Sequence, residues 1–262
     1  MSEVTSRSVF ECFGLTVEVL SDDPRISDLL HGVLPLWRRA DDGAQISASF
    51  HITRDGIIRS EGQLVGRSDG GLTRTVLAAG STIREYLALC APDHIFIHAG
   101  VVRAGETAIV IPGRSFTGKT TLVTELVRAG ASYYSDEFAV VDRQGLIHPY
   151  PRMLTLRADQ RTGRSRALVL TPEQEYTPSP VPAGMLVITS YRPGSHWQPN
   201  PLSAAEGALA VFDNAVAARS RPAEALGAAR QLASGALLLG GPRGEAAPLA
   251  RLLLEMISGT NR

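Results

Sequence analysis

Lysine is almost missing from this chain: one occurs among 262 residues, against 25 arginines. A solitary lysine leaves no second amine for a Schiff base. It also leaves no lysine for the N-K-x-D element of guanine-specific switch GTPases. Codon usage rich in arginine and alanine accounts for the scarcity but not for where the survivor sits. Cysteine is nearly as rare, with only Cys12 and Cys90, no C-x-x-C and no Cys/His spacing suited to a metal. Two reduced thiols and a cytoplasmic location are expected.

Charge of one sign is also lacking. Twenty-six basic and 26 acidic residues cancel, and no long run of either sign appears. The Arg161, Arg164, Arg166 cluster reads as a solvated loop, so nucleic acid is not an expected partner. Long apolar runs are missing too. Stretches such as Ala108 to Ile111 and Ala236 to Leu239 fall far short of the roughly 20 residues a spanning helix needs. No basic start leads into an apolar segment at the N-terminus. No membrane association is expected, and 44% hydrophobic residues suffice for one large domain or two small ones.

What is present is a phosphate-binding pattern. Gly113-Arg114-Ser115-Phe116-Thr117-Gly118-Lys119-Thr120 matches G-x-x-x-x-G-K-[ST] in full. An arginine fork cannot replace the compact ammonium that sits between β- and γ-phosphate oxygens, so the one lysine stands where lysine is needed. The flanks agree. Thr107 to Ile111 reads as a buried strand running into Gly113, and Thr121 to Ala129 as a helix with Leu122, Val123, Leu126 and Val127 on one face and Gly130 past its end. Such a strand, loop and helix aim backbone N–H groups at phosphates. The expected nucleotide-binding set is Gly113, Ser115, Thr117, Gly118, Lys119, Thr120 and Thr121.

Elsewhere the pattern is plainer. Residues 1–92 show short strands at Leu15 to Leu20, Ile46 to Ile52 and Gly62 to Val65, turns at Ser21 to Pro24 and Asp41 to Gly43, and a helix from Ser81 to Cys90 that ends before Pro92. This predicts a small α+β lobe followed by a second domain over 93–262. Ile95 to His98 and Val101 to Arg103 read as a strand and its neighbour. Leu249, Leu252, Leu253, Met256 and Ile257 read as the core face of a final helix.

Ala131 to Tyr134 predicts a short strand delivering Ser135-Asp136-Glu137, before an apolar run from Phe138 to Val141. A carboxylate pair 17 and 18 residues after Lys119 suits phosphoryl transfer, which needs one group to help hold Mg²⁺ and another to take the hydroxyl proton. His98, at a strand end, fits either a structural or a functional role. His31, His51, His94, His148 and His196 suggest no constellation.

The stretch from His98 to Glu137 resembles the kinase domain of the HPr kinase/phosphorylase family: a strand with His, a phosphate loop, a helix ending in Gly, and an acidic pair. The 21-residue step from His98 to Lys119 and the 17-residue step from Lys119 to Asp136 both fit that pattern. The resemblance covers about forty residues well. It implies an α/β, P-loop kinase domain of the HPr kinase/PEP carboxykinase type, using ATP and Mg²⁺.

By position, the resemblance makes Asp136 the base toward an acceptor hydroxyl, gives Lys119 to the phosphates, assigns Mg²⁺ to Thr120 and Glu137, and sets His98 beside Asp136 as an assistant in proton transfer. The implied partner is a protein or peptide phospho-acceptor. The family is often hexameric, which admits a homo-oligomer. Glu137 stands where the family usually has Asp, and the downstream glycine-rich signature tied to dephosphorylation has no clear counterpart. The chain is therefore more similar to divergent members, including serine kinases of lasso-peptide biosynthesis. Phosphoenolpyruvate carboxykinase is more distant, since its extra metal-binding Lys and His are missing. A nucleotide-sensing module and a small-molecule kinase remain open alternatives. Arg152, Arg157 and the Gly241-Pro242-Arg243-Gly244 turn could each bring an arginine to the phosphates, and the segment from Ala158 to Gly184 reads as a loop that could cover an acceptor peptide.

Overall fold

The computed structural model describes residues 4–34, 38–41, 43–113, 117–151, 154–156, 166–168 and 179–260. The chain is mixed α/β and divides into two compact units, Met1–Asp93 and His94–Arg262.

The first unit is built on a sheet of six strands: β1 (Ser6–Cys12), β2 (Leu15–Ser21), β3 (Arg38–Arg39), β4 (Ala48–Ile52), β5 (Ile57–Ser60) and β6 (Gln63–Arg67), in the order β3-β1-β2-β4-β5-β6. Only β2 and β4 pair in parallel, with helix α1 (Pro24–Leu30) between them in sequence. Alternation along β2 sends Val17 and Val19 inward, and Phe50, Ile52, Ile26 and Leu30 are buried in the same unit. The Ser21 to Pro24 segment, expected to be only a turn, starts α1: Asp23 accepts from the Arg25 N–H at 3.1 Å and Pro24 occupies the first helical turn.

The expected helix at Ser81 to Cys90 is twice as long, α2 (Gly71–Cys90), because Thr75, Val76 and Ala79 extend the buried stripe back from Ile83 and Leu87. The Gly70-Gly71 pair and Gly80 hide that extension from a propensity reading. Cys12 is buried and its thiol is pushed up to about 12 by that burial, while Cys90 is exposed.

The Arg25 side chain, bonded to Asp23 at 2.6 and 2.9 Å, is the main cause holding the Asp23 carboxyl down at about 2. A depressed acid stabilises the fold above its unfolded value near 4, and that contribution is lost as pH falls through about 2. Asp23→Asn keeps a capping oxygen but loses the charge. Its melting temperature should lie below wild type at pH 6 and converge on it towards pH 2. A gap that stays constant with pH would refute the ion-pair account.

The second unit is a three-layer arrangement. Its strands are β7 (His94–Ala104), β8 (Thr107–Pro112), β9 (Ser132–Ser135), β10 (Phe138–Asp142), β11 (Ile147–His148), β12 (Leu154–Leu156), β13 (Arg166–Leu168), β14 (Ala183–Tyr191), β15 (Asn200–Pro201) and β16 (Leu237–Arg243). The helices are α3 (Lys119–Arg128), α4 (Ala204–Phe212), α5 (Pro222–Ser234) and α6 (Ala246–Thr260). The main sheet runs β11-β10-β7-β8-β14-β16-β15, with β9 also on β7, and β8, β14 and β16 are parallel. Helices α3 and α6 pack on one face through Leu122, Val123, Leu126, Leu249, Leu253 and Ile257. Helices α4 and α5 pack on the other through Ala208, Val211, Ala225, Ala229 and Leu232. Leu252, expected in the α6 core, is 39% exposed.

Two further expectations are corrected. Ile95 to His98 and Val101 to Arg103 are not neighbours but parts of one continuous strand, β7, paired with β8 on one side and with β9 then β10 on the other. Most of the segment expected as a loop from Ala158 to Gly184 lies outside the described residues; of the rest, 166–168 form β13, paired with β12, and Ala183 and Gly184 open β14. Among the described residues no helix is long and apolar enough to cross a membrane.

Candidate functional site

The phosphate-loop sequence lies between the buried strand β8 and helix α3. Gly118 is the α3 N-cap at φ +84°, a left-handed conformation natural to glycine, and no side chain caps the helix among the described residues. The first turn of a helix has no intrahelical partners for its N–H groups, and its positive end favours an anion. Strand β7 pins the loop's start: the Gly113 N–H donates to the His98 carbonyl at 3.0 Å. Lys119 Nζ reaches back to donate to the Gly113 carbonyl, so the chain closes on itself around the loop. Ser115, with Arg114 and Phe116, lies outside the described residues.

The acidic pair arrives from the other side of β7. Ser135, buried at the end of β9, accepts from the Glu137 and Phe138 N–H groups at 3.1 and 2.9 Å. This hydroxyl turn sets Asp136 and Glu137 at the break between β9 and β10. The Glu137 carbonyl accepts from the Ala99 N–H at 3.2 Å, while Ala99 pairs with Pro112 across the other edge of β7. Strands on either side of a third are only about 10 Å apart, and side chains close that gap. Thr120 Oγ1 donates to Asp136 Oδ2 at a long 3.4 Å. Burial pushes the Lys119 ammonium below its ordinary value, and the Asp136 carboxylate opposes that shift. A cation partly stripped of water gains more from a phosphate partner.

Close packing fixes the approach of α3 to the sheet. A Cβ on Gly100 would lie 2.5 Å from Val123 Cγ2 and 3.7 Å from Lys119 Cβ. His98 stands two residues away on the same face of β7, about 7 Å along the strand. It is exposed, and its ring lies 4.9 Å from that of Phe138, its register partner on β10. The structure therefore places His98, Lys119, Thr120, Asp136 and Glu137 around the middle of β7, where α3 packs on it.

Tyr133 was not expected here, while Arg243 was expected, from the Gly241 to Gly244 segment, as an arginine near the phosphates. The Tyr133 hydroxyl donates to Asp136 Oδ1 at 3.1 Å. Tyr133 precedes Asp136 by three residues, and the pairing of β9 with β7 shifts register between Ser135 and Tyr133, an irregularity that local patterning does not signal. Arg243 is the final residue of a strand rather than part of a turn. It is 2% exposed, its Nη2 donates to the Gly118 carbonyl at 2.8 Å, and its Nη1 to the Gly244 carbonyl at 2.8 Å. Burial lowers the Arg243 guanidinium from its usual range, with Glu245 and Tyr191 opposing. Arg152, Arg157, Arg161 and Arg164 lie outside the described residues.

The histidines also require a correction. His94 and His148 meet ring to ring at 4.9 Å, and His148 Nε2 lies 2.8 Å from Asp142 Oδ2. Sheet pairing makes this cluster, since Asp142 faces His94 on β7 and Val140 faces His148 on β11. It sits at the start of β7, at His94, away from Ala99 and Gly100 in the middle of the strand. Among the described residues no group of three or more His, Cys, Asp or Glu could hold a metal ion.

A scan of protein-family models finds no match to this chain, and no curated protein matches it.

Proposed function

We propose that the chain is an ATP- and Mg²⁺-dependent kinase of HPr kinase-like type that transfers the γ-phosphoryl group to a serine-type hydroxyl of a protein or peptide. The observation that carries this reading is the approach of the Thr120 hydroxyl to Asp136 across β7, with the half-buried Lys119 ammonium in the same field. Phosphoryl transfer draws mainly on positioning and charge, and these residues supply both. On the composition reading it acts in the cytoplasm.

The donor set fits Mg²⁺. That ion takes hard oxygen ligands and is commonly held by one or two carboxylates together with substrate phosphates, so a loop threonine and one acid are enough. Thr120 with Glu137 would hold the ion, which when bound neutralises charge on the phosphate oxygens. Lys119 and the first α3 amides bind and orient the triphosphate. Asp136 receives the acceptor proton at a carboxylate oxygen, Tyr133 holds the other oxygen, and His98 stands by for proton transfer. The Thr120 contact also supports a second assignment, with Asp136 as the metal-holding acid and Glu137 as the base.

Purified protein is incubated with γ-labelled ATP, Mg²⁺ and peptides bearing serine. Label should pass to the peptide hydroxyl, and Lys119→Ala should lower both ATP affinity and transfer at least tenfold. ATP binding with no label on any peptide, protein or small molecule would favour a nucleotide-sensing module instead. Unchanged ATP binding in Lys119→Ala would remove the loop as the site.

A further inference from the structure

The phosphate loop has two flanks. On one, beyond β7, stand the acids. On the other, the parallel strands β14 and β16 end together, and their last residues, Tyr191 and Arg243, are register partners. In an open parallel sheet a ligand lies outside the carboxyl ends of the strands, so both ends face the same crevice as the loop. A triphosphate with its γ end toward Asp136 must carry its nucleoside away from the acids.

Tyr191 is built for a contact there. The residue is 46% exposed, yet its side chain is held from two directions. The hydroxyl donates to Glu245 Oε1 at 3.0 Å, a bond that raises the phenol above its ordinary value and keeps it a donor. The Arg243 guanidinium lies 5.5 Å from the ring centroid. That same guanidinium grips the Gly118 carbonyl at 2.8 Å, and a Cβ on Gly118 would stand 3.6 Å from Tyr191 Cβ. Arg243 Nε, fully buried, has no hydrogen-bond partner among the described residues. The buried guanidinium carries its positive charge beside the loop, where it favours an anion. An exposed aromatic ring, fixed in orientation and joined through one arginine to the loop backbone, is a stacking surface rather than part of the core.

We propose that Tyr191 is the platform on which the purine base of the nucleotide stacks, with Arg243 coupling that platform to the phosphate loop. This rests on the phosphate-loop reading above but not on the kinase assignment. Stacking of a base on an aromatic side chain is sequence-tolerant and changes affinity by roughly tenfold or more.

The test separates base from phosphate. Binding of ATP and of inorganic tripolyphosphate, each with Mg²⁺, is measured by calorimetry on the full chain for wild type, Tyr191→Ala and Tyr191→Phe. Tyr191→Ala should weaken ATP roughly tenfold or more and leave tripolyphosphate unchanged, while Tyr191→Phe retains most of the ATP affinity. Unchanged ATP affinity in Tyr191→Ala overturns the platform, as does an equal loss for tripolyphosphate, which would mean a damaged loop. If wild type binds neither compound, the phosphate-loop reading falls and the platform with it. If both bind with the expected pattern but no hydroxyl is labelled, the platform stands and the kinase assignment alone fails.

Discussion

Asp136→Asn should lower the turnover of peptide phosphorylation by a hundredfold or more, the usual scale of a lost general base. The substitution isolates charge from shape. Tyr133 and Thr120 each donate to one carboxylate oxygen, at 3.1 and 3.4 Å, and asparagine keeps an acceptor for one of them. Magnesium titration then separates the two assignments for the acids. A base leaves the apparent Mg²⁺ requirement close to wild type, and no excess of metal restores the rate. A metal ligand raises that requirement, and added Mg²⁺ recovers part of the activity. Glu137→Gln, run in parallel, should show the complementary behaviour. Full activity in Asp136→Asn would end its role in either form.

Gly118→Ala should strongly damage the phosphate loop. Its backbone at φ +84° costs an L-residue about 1–2 kcal/mol, and the new Cβ would fall 2.4 Å from Arg243 Nη2. The guanidinium is buried and already committed to two carbonyls, so it cannot yield without breaking one of them. ATP affinity should fall more than tenfold, with a loss of about 1–3 kcal/mol in unfolding free energy. Gly130→Ala supplies the control. It too has positive φ, +111°, but its added Cβ meets nothing within 4 Å. It should cost a similar backbone term and leave ATP binding intact. Equal effects on binding in the two variants would show that loop packing against Arg243 is irrelevant.

These cases also mark what the sequence could disclose. Strand β8, the glycines and α3 were legible because each is set by neighbours within a few residues: Gly113 and Gly118 punctuate, and Leu122, Val123 and Leu126 keep a helical period. Ser135 to Glu137 was legible for the same reason, as acids following a short apolar run. By contrast, β7 reads as two pieces around His98-Ala99-Gly100, since its continuity comes from partners on both edges rather than from its own pattern. Tyr191 carries no local signature, and the Gly241 to Gly244 pattern suggested an arginine near the phosphates without disclosing its partners. Arg243 reaches Gly118 across 125 positions of chain, and Tyr191 reaches Glu245 across 54.

The register of β7 has an implication for how the gene can tolerate insertions and deletions. Phosphate loop and acids meet because Ala99 pairs with Pro112 on one edge and hydrogen-bonds to Glu137 on the other. A one-residue slip along an extended strand moves a side chain by about 3.3 Å and turns it to the opposite face of the sheet. Removing a residue between His98 and Gly100 would therefore misalign both halves of the site at once. The turn at Ala129 and Gly130, which only returns the chain from α3 to β9, can change length without moving either. Length variation among descendants of this sequence should accumulate at that turn and avoid the middle of β7.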